Sequence, residues 1–142
     1  MVGLTRRVLI GADEILIVAA PDLASLRNVK YLLALFQQQR PNDTRARVVL
    51  NGVGVPKRPE IAAAEFAKAL DVPLQAVIPF DPALFGTAAN NGQMIAEVQA
   101  GSKAADIFSE LAATVTGRAE IRRARPNLFE PLLARLTGKK AS

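Results

Sequence analysis

The sequence predicts an α/β fold, a small parallel sheet of about three strands with helices on its faces. Three observations carry that prediction. Aliphatic runs without alternation recur at EILIVAAP (14–21), RARVVLNGV (45–53) and LQAVIP (74–79), and such runs mark strands covered on both faces, the habit of parallel sheets. Segments with helical spacing of apolar residues separate them. The resulting order of strand, helix, strand, helix, strand makes two successive βαβ units, whose strands run parallel with a right-handed crossover almost without exception.

Each element has its own justification. TRRVLIGA (5–12) is a short helical piece that carries Val8, Leu9 and Ile10. After the first strand, closed by Pro21, Asp22 is placed to cap a helix from about Leu23 to Gln39. Leu23, Leu26, Val29, Leu33 and Phe36 fall near one face of that helix. The second strand ends in polar Asn51, and the loop GVGVPKRP follows it. A helix is expected to begin at Pro59, because proline suits a first turn, and to run through Phe66 and Leu70. After the third strand, DPALFGTAANNG is expected to give one or two helical turns ending at Asn91-Gly92, where a left-handed residue is least costly. KAADIFSELAATVTG is an amphipathic helix, with Ala104, Ile107, Phe108, Leu111 and Val115 on one face.

Composition limits the chemistry. The 142 residues are half hydrophobic and 5% aromatic, with no cysteine and no histidine. Disulfides, thiolate metal sites, Cys nucleophiles and His-based triads are therefore excluded, as are the usual zinc clusters. The net charge of +5 is uneven: residues 1–117 hold eleven Lys/Arg and eleven Asp/Glu, so the whole excess lies in residues 118–142. Two parts follow, an α/β domain over 1–117 and a basic amphipathic tail over 118–142.

The tail joins Arg122, Arg123 and Arg125 to an apolar group, Leu128, Phe129, Leu132, Leu133 and Leu136. A helix this short needs a surface to lie on. That surface is the chain's own domain, a partner subunit or an anionic membrane face. Nucleic acid is the weaker partner, because arginines without interleaved aromatics attract phosphate and read no bases.

Ligands in open α/β sheets bind beyond the carboxyl ends of the strands, which directs attention to Val77–Glu97 and to Asn51. The exit from the third strand offers Pro79, Phe80 and Asp81 with no His, Cys or Lys, a set suited to polar recognition more than to acid–base catalysis. Asp13-Glu14 reads as a solvated turn, Lys57 and Arg58 as a solvated loop, and Asn90-Asn91 as a turn that sets the following helix.

Three blocks, ADEILIVAAPDLASLRNVKYLL, VVLNGVGVPKRPEI and VIPFDPALFGTAANNGQMIAE, in this order, resemble the C-terminal half of CpaE/TadZ-type proteins. These serve Flp (tight-adherence) pilus assembly, a secretion-related system, within the MinD/ParA class of P-loop ATPases. The resemblance covers roughly residues 4–118. It implies part of the three-layer P-loop NTPase-like fold, ATP and Mg²⁺ as cofactors of the full-length family, and a regulatory or scaffolding role. It also implies pilus-assembly and secretion proteins as partners, and a cytoplasmic location at the inner membrane or cell pole. By the same resemblance Asn51 and the turn Pro79, Phe80 and Asp81 take the adenine side of the nucleotide site. The chain has no G-x-x-x-x-G-K-[ST], the loop that cradles phosphates and positions the metal. No bound cofactor and no catalysis are therefore expected of this chain by itself. The missing central strand is expected to leave a sheet edge that favours a homodimer. Two other classes stand beside this one: a ParA/MinD-class ATPase of partition or division, and a stand-alone interaction module.

Overall fold

Val48 and Val49 are neighbours in sequence and face opposite sides of the central strand, where each is almost fully buried. The residues on either side of the sheet explain why. The computed structural model describes residues 3–39, 41 and 46–117. Their element order is α1 (Gly3–Gly11), β1 (Leu16–Ala19), α2 (Leu23–Gln39), β2 (Arg47–Val53), α3 (Ala63–Leu70), β3 (Leu74–Pro79), α4 (Pro82–Asn91), α5 (Ile95–Val98) and α6 (Lys103–Val115). The strands lie in the order β1-β2-β3. Both pairings are parallel, with Val18 opposite Val49 and Leu50 opposite Val77.

Two apolar layers sandwich this sheet. On one face Ile17, Ala19, Val48 and Leu50 pack with Val29 of α2 and with Phe66 and Leu70 of α3. On the other, Val49 and Ile78 pack with Leu111, while Ile107 of α6 and Phe85 of α4 close around them. The fully buried larger side chains, Val48, Val49, Leu50 and Phe66, each contribute about 1.5–3 kcal/mol by leaving water. The alternation along β2 is therefore satisfied on both sides, as the continuous aliphatic run requires.

The helix ends follow local chemistry. Asp22 accepts the Ser25 N–H at 2.7 Å, which opens α2. Asp81 accepts the Leu84 N–H at 3.0 Å and Pro82 supplies a preset first turn, which opens α4. Gly92 closes α4 in the left-handed region at φ 64°. Ser102, buried at the start of α6, accepts the Ala105 N–H at 3.1 Å.

Four expectations need correction. β1 is not covered on both faces: Leu16 is 37% and Val18 58% exposed, because α6 lies over β3 and the layer around Leu111 reaches only to Val49. The third helix begins at Ala63 and not at Pro59. The intervening residues are held otherwise, with the Ile61 N–H on the Pro21 carbonyl at 2.8 Å. α4 spans ten residues, longer than one or two turns. Leu23, Phe108 and Val115, placed on buried faces by spacing, are 54%, 40% and 42% exposed, although Phe108 still meets the Phe85 ring edge-on at 6.3 Å. The tail over 118–142 lies outside the described residues. Among the described residues no helix is long and apolar enough to cross a membrane.

Candidate functional site

At the carboxyl ends of β2 and β3 the ladder becomes irregular. Asn51 is opposite Ile78, the register slips, and Val53 is opposite Pro79. Gly52 occupies the slip with φ 67°, a conformation that L side chains adopt at a cost. The Phe80 N–H then donates to the Val53 carbonyl at 2.8 Å. The two segments singled out from sequence, Asn51 and Pro79 to Asp81, are thereby brought side by side.

Their chemistry is unequal. Asn51 is exposed, and among the described residues its carboxamide has no hydrogen-bond partner. Phe80, two residues beyond the Ile78 that faces Asn51 in the ladder, is 42% exposed. The Asp81 carboxylate is engaged as the cap of α4, so what Asp81 offers a ligand is its backbone. An amide supplies a donor and an acceptor together, the pairing an adenine edge requires, and an aromatic face suits stacking on a base.

The loop after β2 is closed by two side chains that spacing did not mark. Glu60 accepts the N–H groups of Gly54 at 2.9 Å and Val55 at 3.0 Å. Arg58 donates to Glu60 through Nε at 3.1 Å and Nη2 at 2.7 Å, and its Nη2 also reaches the Gly52 carbonyl. The Gly54 N–H bond, and after it the Arg58 contact, hold the Glu60 carboxyl below its ordinary value. Asp22 is likewise lowered, first by the backbone N–H of Ser25. Arg58 is exposed, as a solvated loop residue would be, yet its guanidinium is engaged within the loop. Lys57 at the loop tip is exposed, with φ 61°. The only advance signal was local, an arginine two residues before a glutamate behind a Gly-rich turn.

Other candidates fall elsewhere. Glu14, read as part of a solvated turn, is paired with Arg47. Asn91 donates to the Gln93 side chain at 3.0 Å. A cavity of about 140 Å³ lined by Ala46, Arg47, Val72, Pro73 and Gln75 opens at the amino ends of the strands, away from Asn51. Arg122, Arg123, Arg125, Leu132, Leu133 and Leu136 lie outside the described residues. Among the described residues no group of three His, Cys, Asp or Glu side chains could hold a metal ion. Among the described residues this end of the sheet thus offers an exposed amide and an aromatic side chain, and no acidic group arranged to hold a metal ion.

No protein-family model matches the chain, and no curated protein sequence does. Solved structures do. A ParA family ATPase from Chlorobium tepidum superposes with TM-score 0.63 at 26% identity, over 78% of this chain and 45% of that one. The cell division ATPase MinD of Pyrococcus furiosus gives 0.64 at 25% identity, over 78% and 45%. The chain carries part of the MinD/ParA fold. A MinC:MinD cell division complex from Aquifex aeolicus shares that MinD/ParA architecture, with TM-score 0.60 at 20% identity over 75% and 43% of the two chains. In each case the chain spans less than half the length of the MinD/ParA structure it matches.

Proposed function

We propose that this chain is the base-recognition and scaffold portion of a MinD/ParA-class ATPase-like protein that serves Flp pilus assembly. The observation that carries the nucleotide part is the juxtaposition of Asn51 with the Pro79–Asp81 turn at the carboxyl ends of two parallel strands. The Asn51 amide pairs with the adenine edge, and Phe80 with the turn backbone walls the base. ATP and Mg²⁺, when bound by the complete site, supply the phosphoryl chemistry. The residues of this chain orient the base and exclude water beside it.

Support for the pilus role comes from the VPKRPEI and AANNGQM blocks, which resemble the pilus branch. The likeness to a ParA family ATPase and to MinD favours a second reading, positioning of a partition or division apparatus. In either case the chain acts through partners: a second copy along the outer edge of β1, which pairs only with β2 among the described residues, and assembly proteins at the cytoplasmic face of the inner membrane or the cell pole. The basic tail is a candidate for peripheral contact there.

Titration calorimetry and NMR test the nucleotide reading together. Mg-ATP binds residues 1–142 no more tightly than millimolar, whereas adenosine moves the Asn51 and Phe80 resonances. Micromolar Mg-ATP binding, or adenosine shifts elsewhere, would remove it. Flp pili assembled normally in a strain lacking the protein would remove the pilus reading.

A further inference from the structure

We propose that Arg58 and Glu60 are positioning residues that set the shape of the base-side wall without touching the base. The inference rests on reading Asn51 and the Pro79–Asp81 turn as that wall. Its physical content is a chain of contacts. Gly52 and Gly54 have φ of 67° and 91°, so Val53 lies between two residues with the largest backbone freedom available. The segment would sample many shapes if left alone, and those shapes would carry Asn51 and Phe80 with them.

Glu60 withdraws that freedom on one side by taking the N–H groups of Gly54 and Val55. Arg58 withdraws it on the other by capping the Gly52 carbonyl while it donates to Glu60. Between these anchors the Val53 carbonyl is aimed at the Phe80 N–H, and Asn51 is the residue immediately before the anchored Gly52. The far end is fixed too, since the Ile61 N–H donates to the Pro21 carbonyl. The pair is suited to this work. The Glu60 side chain is 16% exposed and that of Arg58 37%, and hydrogen bonds to an ionised group are about twice as strong as neutral ones. The planar guanidinium of Arg58 bonds Glu60 through two nitrogens while one of them also reaches the Gly52 carbonyl, and a lysine has no second nitrogen for that fork.

Amide exchange and NMR on the 142-residue chain test this with Glu60→Ala, Glu60→Gln and Arg58→Lys. In Glu60→Ala the Phe80 amide exchanges about tenfold faster, as expected when a local opening is freed, and the Asn51 carboxamide resonances shift. The α6 amides, which are held by the helix's own hydrogen bonds, keep their protection. Glu60→Gln retains one acceptor oxygen and restores part of the Phe80 protection. Arg58→Lys lies between wild type and Glu60→Ala, and it carries the test if Glu60→Ala does not fold. Loss of protection at Gly54 and Val55 with Phe80 and Asn51 unchanged overturns the proposal, because the loop would then be merely structural. Adenosine titration separates the two readings. If wild type shows no adenosine shifts while the variants still loosen Phe80 and Asn51, the positioning stands and the base-side reading fails.

Discussion

Arg47 and Glu14, 33 residues apart, meet across the first two strands: Arg47 Nε donates to the Glu14 carboxylate at 3.0 Å and Nη2 at 3.3 Å. The remaining Nη1 donates to Gln75 at 3.1 Å, so one guanidinium joins the starts of all three strands. Both partners of the ion pair are a little over one quarter exposed, which places the pair between a weak surface bridge and a costly buried one. Arg47→Ala is expected to lower stability by about 1–2 kcal/mol, because Gln75 and Glu14 lose a shared charged donor. Urea unfolding measures it, and a Glu14→Ala/Arg47→Ala double-mutant cycle isolates the pair term.

Phe66 is fully buried beneath α3 against Val48 and Leu50. Phe66→Ala should cost about 3–5 kcal/mol, by lost transfer energy and the cavity left behind. For a chain of this size that approaches the whole of its stability. The check is the fraction of soluble, cooperatively unfolding protein. A loss below 1 kcal/mol would mean that this face of the sheet is not where the core resides.

Acid stability should depend on Glu60 and Asp22. Both carboxyls have folded values depressed below their ordinary 4.5 and 3.8. The folded state therefore binds these protons less readily than the unfolded state. Their contribution is complete above the unfolded values and is lost as pH falls through the folded ones. Melting temperature should be flat from pH 7 to about 5 in this respect and decline below it. Glu60→Gln should flatten that decline, and an unchanged acid limb would show that the Gly54 contact does not persist in solution.

Self-association, where it occurs, is expected along β1. The strand carries no charge, proline or bulge on its outer edge, the devices that normally prevent edge pairing, and Val18 is 58% exposed. Val18→Lys should leave monomer stability within about 0.5 kcal/mol, as exposed substitutions usually do. It should also abolish any dimer seen by light scattering at high concentration. A dimer that survives the charge would move the interface elsewhere.

What the sequence by itself determined is local. Three aliphatic runs became three parallel strands, as continuous apolar runs between helical segments favour, and β3 begins and ends where its run does. Asp22 was legible as a cap, and Gly92 as a stop, because each acts on backbone within a turn of itself; Asp81 was read only as part of a recognition turn, and the structure makes it the cap of α4. Asn51 was legible as a polar residue near the end of its strand, although β2 runs on past it to Val53. Tertiary structure decided what depends on residues far apart in the chain. Glu14 finds Arg47 only when β1 and β2 are in register, and no spacing rule connects positions 33 apart. Arg58 and Glu60 became a clasp only once the two glycines had turned the chain back on itself. Val18 has the same aliphatic character as Val49, its partner across the ladder. One is bare and the other buried because α6 lies over β3 and the layer around Leu111 reaches Val49 but not Val18. Hydrophobicity tells a residue that it can be covered, and the arrangement of the layers decides whether it is.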